Sequence, residues 1–388
     1  MRRECGAIRR RFCHSMCVLI VSCVLPTGLV AEPQRCSEAA DLIKKGVSLG
    51  DASDQEIELY RKAETLCPKM AESHFNLGLA LQKRGELPQA ETELRKAISL
   101  KDEENFRLGL GAVLLQKGEV SSSREQYDRV LERNPKNVQA LQGLAVILEK
   151  QQKLQEAVET LQRAETFEPS NATTLFNLGV LQEKLKRDDA AVAAYKRAVD
   201  IQPKHFLALY YLGVVQTRTG SLGDAARSLE RAAEIKPEDI RVQLALAEVY
   251  EKAGQLDQAE SSLRKAVSLS PRSFLAQVNL GVLLVNRGKY EEAISTLTRA
   301  SAIDPKNARV WSALGHAQLE AGRTDEAERN IREALALEPT NANAHNNLGV
   351  LLQREGKVDE ARKQFAEAVQ LNPQLEVAHK NLDVIGAE

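Results

Sequence analysis

From about residue 37 to the C-terminus, apolar residues recur at helical spacing and are interrupted at regular intervals by polar residues, Gly and Pro. The stretch ARVWSALGHAQLEAGRTDEAERNIREALALEPTN, residues 308–341, shows the unit of this pattern. Two amphipathic helices are predicted in it. The first runs from about Ala308 to Ala321 and stops at Gly322, since glycine suits a helix C-terminus. The second begins near Asp325 and Glu326, whose negative charges suit a helix N-terminus. Pro339 ends it, because proline has no N–H to continue a helix and restrains the residue before it.

The unit repeats. Pro135, Pro169, Pro203, Pro237, Pro271, Pro305, Pro339 and Pro373 follow one another at intervals of 34 residues. Pro68 joins the series if one residue is missing near Asp102, where Asp stands in place of Pro. Before six of the later first helices stand Asn137, Asn171, Asp239, Ser273, Asn307 and Asn341, all residues whose side chains cap helix N-termini. Leu recurs at positions such as Leu77, Leu110, Leu212 and Leu314, usually followed by Gly. Two Ala columns, such as Ala191 with Ala198 and Ala327 with Ala334, run along the second helices. Glycine inside a helix costs roughly 1 kcal/mol relative to alanine. Its retention in most units predicts that another helix crosses too closely there for a larger side chain.

These residues resemble the tetratricopeptide repeat, with Leu-Gly in the first helix, Ala twice in the second and Pro near the end. The resemblance covers Ser37 to the C-terminus. It divides the chain into ten units (37–70, 71–103, 104–137, 138–171, 172–205, 206–239, 240–273, 274–307, 308–341 and 342–375) and a capping helix at 376–388. The first unit departs from the pattern, with Lys44 where Gly is usual and Glu56 where Ala is usual; Ser123 and Val130 depart in the third. Less regular packing is expected in both. The resemblance implies an all-α, right-handed solenoid whose first helices line a groove. It places Phe75, Phe176, Tyr210 and Tyr211 on or beside that groove, with Asn76, Asn177, Asn279, Asn347 and Asn381 in one column along it. An Asn amide both donates and accepts, so such a column can pair the backbone of an extended peptide. Gly109, Gly143, Tyr211, Ala245 and Ala313 interrupt it. The Lys/Asn/Arg clamp by which some members of the family hold a C-terminal carboxylate is missing: the corresponding positions carry residues such as Phe75, Leu79, Phe176 and Val180.

The first 31 residues differ from the repeats. Arg2, Arg3, Arg9, Arg10 and Arg11 precede an uncharged run from Phe12 to Ala31 that Pro26 and Gly28 break. A basic start, an apolar run and a small residue before Glu32 predict a secretory signal, residues 1–31, with 32–36 as a short lead. A retained anchor, a lipid on Cys23 in Ile20-Val21-Ser22-Cys23, and a twin-arginine signal are competing readings of the same residues. Cleavage after Ala31 leaves 48 basic and 53 acidic residues, and Cys36 and Cys67 as the sole cysteines. Cys36 precedes the first helix and Cys67 ends the second, so antiparallel helices bring them together. A disulfide between them is expected, in an exported, periplasmic or secreted protein.

The balanced charge, formally −1 for the whole chain, and the interleaving of Lys and Arg with acids leave no basic stripe for nucleic acid. Neither a glycine-rich phosphate loop nor a His-Glu-x-x-His string occurs. His74, His345 and His379 share one repeat position and read as groove-lining polar residues rather than metal ligands. Repeats occupy nearly everything beyond residue 36, too little being left for a catalytic domain. The expectation is a non-catalytic scaffold without cofactor or metal that binds a protein or peptide partner. Membrane contact enters only through a retained signal or a lipid on Cys23. Two alternatives are a tethered lipoprotein that assists assembly of pili or surface polymers, and the recognition subunit of a separate enzyme such as a sugar transferase.

Overall fold

The computed structural model describes residues 32–387; residues 1–31, expected as a signal, and with them Cys23 lie outside them. Among the described residues there are 21 α-helices and no strands, paired in tandem, so the chain is an all-α solenoid of helical hairpins. They form two compact units divided between Arg133 and Asn134. The first holds α1 (Glu32–Leu49), α2 (Asp54–Leu66), α3 (Ala71–Arg84), α4 (Leu87–Leu100), α5 (Glu104–Gln116) and α6 (Val120–Arg133). The second begins with α7 (Val138–Lys150), α8 (Leu154–Phe167), α9 (Ala172–Lys184), α10 (Asp188–Ile201), α11 (Phe206–Arg218), α12 (Leu222–Ile235), α13 (Ile240–Lys252) and α14 (Leu256–Leu269). It continues through α15 (Phe274–Asn286), α16 (Tyr290–Ile303), α17 (Ala308–Glu320), α18 (Thr324–Leu337), α19 (Ala342–Arg354), α20 (Val358–Leu371) and α21 (Glu376–Ala387). No described helix is long and apolar enough to cross a membrane.

Local chemistry fixes the helix ends. The side chains of Asn137, Asn171, Asp239, Ser273, Asn307 and Asn341 each accept a hydrogen bond from a backbone N–H in the first turn of the helix that follows. His205 does the same through Nδ1, a cap that the residue type did not announce. Gly322 has φ +78°, its N–H donates to Leu319 O and the N–H of Arg323 donates to Gln318 O. These paired bonds close α17 in the manner for which left-handed glycine is suited.

Most hairpins are held at a spacing set by a glycine. A Cβ at Gly179 would stand 2.4 Å from the Tyr195 ring on the second helix of the same repeat. In the first repeat, where Lys44 takes the usual glycine position, Gly46 serves instead, with the Tyr60 ring 2.5 Å from its would-be Cβ. The first and third repeats are regularly packed, contrary to expectation. Glu56 is buried and accepts from the Tyr60 hydroxyl at 3.1 Å and the Ala52 N–H at 2.6 Å. Ser123 is buried with its hydroxyl on Gly111 O at 2.7 Å, and Val130 is fully buried. Residues 32–36, expected as a lead, form the start of α1. The sulfur atoms of Cys36 and Cys67 lie 2.01 Å apart, with Cα atoms 5.0 Å apart.

In the second unit, first helices touch the first helices of neighbouring repeats, α11 with α13, α15 with α17 and α17 with α19. Their crowding on one side makes that side concave.

Candidate partner-binding groove

On the concave side of the second unit each first helix shows one stripe, beginning at its second residue and spaced i, i+3, i+4, i+7. In α17 it is Arg309, Ser312, Ala313 and His316; in α19 it is Asn343, Asn346, Asn347 and Val350. These eight residues, with Val282 and Asn286 of α15 and Val377 and Asn381 of α21, line a cavity of about 610 Å³. A second hollow of about 570 Å³ lies between α11 and α17, lined by Tyr210, Arg241, Leu244, Glu248, Leu275 and Asn279, among others. The stripe follows from helical periodicity: four residues at this spacing share one face.

The expected groove residues of the second unit fall on the stripe, while Phe75 and Asn76 lie on α3 of the first unit, and their surroundings divide them. Tyr210 and Asn279 line the second hollow, and Asn177 lines a smaller one with Gln142 and Val180. Asn177 and Asn279 have no hydrogen-bond partner among the described residues, so their amides are free to pair with a ligand. Asn347 is only 6% exposed, and its amide donates to Ser312 O at 3.1 Å. Asn76 donates to Glu72 O of its own helix, and Asn381 to Asn346 Oδ1. Three of the Asn column thus hold repeats together or brace a helix. Phe75 packs on Phe106, with ring centroids 4.7 Å apart. Phe176 and Tyr211, both half-buried, pack on the fully buried Tyr195, with centroids about 6 Å apart. Cys36 and Cys67 stand away from the groove stripe, near the start of α1 and the end of α2.

Sequence reasoning passed over Leu275, Arg309, His316 and Asn343. Leu275 is 53% exposed, and Arg309 has no ion-pair partner among the described residues. The i, i+3, i+4, i+7 stripe, read from the second helical residue, would have found all four. Burial among the groove walls holds the His316 pKa below the usual imidazole value, and Arg354 adds to this against Glu320. Burial raises the Glu251 carboxyl, and Glu248 adds to the shift. Burial likewise raises the Tyr210 hydroxyl, against Arg241.

The three shared-position histidines face the repeat junctions rather than the groove. Their Nε2 atoms lie 3.2 Å (His74), 2.9 Å (His345) and 2.9 Å (His379) from the carbonyl oxygens of Pro68, Pro339 and Pro373. Gln277 and Trp311 occupy the same position and donate to Pro271 and Pro305 at 2.9 and 2.8 Å.

The family model described as the cilia and flagella-associated protein 70 C-terminal domain, a tetratricopeptide-repeat model, matches residues 139–381, more than half of the chain. A second, described as tetratricopeptide repeat, matches residues 71–96. The chain belongs to the tetratricopeptide-repeat family. Tetratricopeptide-repeat arrays are in general interaction scaffolds without catalytic residues. No curated relative matches this tetratricopeptide-repeat protein. Among solved structures it is similar to YrrB, described as a TPR protein with an unusual peptide-binding site: 22% identity, 48% of this chain, 96% of that one, TM-score 0.44. It is similar to PilF of Pseudomonas aeruginosa, with 20% identity, 54% and 96% coverage and TM-score 0.48. The Cut9–Hcn1 structure gives 17% identity, 89% and 76% coverage and TM-score 0.47. None of these likenesses bears on what this chain binds.

Proposed function

We propose that the chain is an exported scaffold, periplasmic or secreted, that holds an extended segment of a partner protein against the first helices of its second unit. The observation that carries this reading is the 610 Å³ cavity, lined by four successive first helices. Its walls alternate apolar patches (Val282, Val350, Val377) with Asn side chains, and the Asn286 and Asn343 amides have no partner among the described residues. Such amides pair a peptide backbone without reading its sequence, while the apolar patches receive its side chains. Four helices at a spacing of about 9 Å span about 27 Å, the length of roughly eight extended residues. Export rests on the pattern of residues 1–31, and an oxidised Cys36–Cys67 pair is part of the same reading.

Photocrosslinking tests the groove. A photoreactive residue at Leu275 or Asn343 is expected to give one or two discrete adducts in cells, while the same residue at Arg227 of α12 gives none. Adducts from Arg227 alone would move the working surface to the other face. Thiol titration checks the cysteines: equal counts with and without reductant would remove the bridge.

A further inference from the structure

His74 is 3% exposed, and its ring meets only hydrogen-bond acceptors. Nε2 lies 3.2 Å from Pro68 O, while Nδ1 lies 2.7 Å from Glu93 Oε2 and 3.6 Å from Glu64 Oε1. A neutral imidazole has one N–H and one lone pair. With the N–H given to Pro68, the Nδ1 lone pair points at a carboxylate oxygen. With the N–H given to Glu93, the Nε2 lone pair points at a carbonyl. Either arrangement sets acceptor against acceptor in a buried place, unless a positive species lies between them. His345, at the same position two-thirds of the chain away, is not in this state. Its Nδ1 partner is the side-chain amide of Gln364, at 2.7 Å, which can turn to donate.

We propose that His74 Nδ1, Glu64 and Glu93 bind a divalent metal ion of the zinc type, which ties α2, α3 and α4 together. The three donor atoms lie within 4.8 Å of one another. One nitrogen and two carboxylates form a donor set that zinc accepts, with water completing the shell. The bond from Nε2–H to Pro68 O is the outer contact that orients a metal-bound histidine and leaves Nδ1 free to ligate. Both carboxylates line a cleft open to solvent, which gives an ion its path in. Lys96 is the competing cation, with Nζ 2.9 Å from Glu93 Oε1 and 3.7 Å from Glu64 Oε1. Its side chain is 47% exposed on a flexible stem and can swing into water when a doubly charged ion arrives. The sequence alone gave no reason to single out this site, because the two glutamates are separated from the histidine by 10 and 19 residues.

The test is a Zn²⁺ titration of the full chain by calorimetry, with free thiols alkylated and the Cys36–Cys67 pair left intact. His74→Gln is the deciding variant, because Gln277 shows that glutamine at this position keeps the bond to the prolyl carbonyl. The unaltered chain is expected to bind one Zn²⁺ more than His74→Gln. Zn²⁺ should raise its melting temperature but not that of His74→Gln. Glu93→Gln should weaken binding about tenfold or more, and His345→Gln should change nothing. Equal uptake and equal melting shifts in the unaltered chain and His74→Gln would overturn the proposal. So would the absence of any uptake. Should Glu93→Gln not fold, the comparison with His74→Gln still decides.

Discussion

The indole N–H of Trp311 donates to the carbonyl oxygen of Pro305 at 2.8 Å, and Gln277, His345 and His379, each six residues after a proline, make the same contact. The proline ends one helix, and the donor ties the next helix back to that end. Trp311→Phe keeps the ring and removes the donor. It is expected to cost about 1 kcal/mol in denaturant unfolding, the net worth of one such bond. His345→Gln, which retains a donor, should cost less.

At Gly179 the prediction is steric. An added Cβ would meet Tyr195 Cε1 at 2.4 Å, so Gly179→Ala is expected to destabilise by about 1–3 kcal/mol, read from the shift in denaturation midpoint. Gly223 in α12 has nothing within 4 Å of such an atom, and Gly223→Ala is expected to be neutral or to stabilise by about 0.5 kcal/mol. The pair of variants separates crowding from helix propensity.

Two repeats close their first helix without glycine: Gln152 and Lys186 adopt φ +61° and +60°, where the other repeats of this unit mostly place Gly. A side chain in that region costs about 1–2 kcal/mol, offset in part by the greater freedom that glycine gives the unfolded chain. Lys186→Gly is therefore expected to raise stability by about 0.5–1 kcal/mol. A lower melting temperature would contradict this.

Acid should loosen the first unit through Asp102. The Arg107 guanidinium, joined by Arg133, holds its carboxyl at about 2, below the ordinary 3.8, although burial pushes the other way. Because the folded value is the lower, the stabilisation is complete above the unfolded value and is lost as pH falls from about 4 towards 2. Asp102→Asn should flatten this part of the stability–pH curve while leaving stability at neutral pH lower.

Helix boundaries and hairpin packing were legible because their causes are local. Asn171 caps because its oxygen reaches an N–H three residues on, and Gly322 closes because it alone adopts positive φ freely. His205 was missed as a cap because histidine seldom serves as one, and only the geometry reveals it. The junction bond was missed because His, Gln and Trp share nothing in sequence except an N–H at the right distance. For the groove the sequence picked part of the stripe but could not tell its free residues from its bonded ones. Asn347 and Asn279 occupy equivalent positions, yet Ser312, 35 residues earlier, takes up the first amide and nothing takes up the second. Glu56 and Ser123 looked like flaws because a buried polar residue reads as one until its partner is known.

The glycine and the large side chain opposite it stand within one repeat: Gly78 faces Leu94, Gly179 faces Tyr195, and Gly349 faces Phe365. Each such repeat therefore carries both halves of its own fit, and neighbours need not agree on which large residue is used. Duplication, loss or exchange of whole repeats leaves every such pair intact, whereas a crossover inside a repeat can unite a glycine with a partner of the wrong size. An array built this way can change its length by whole units at little structural risk.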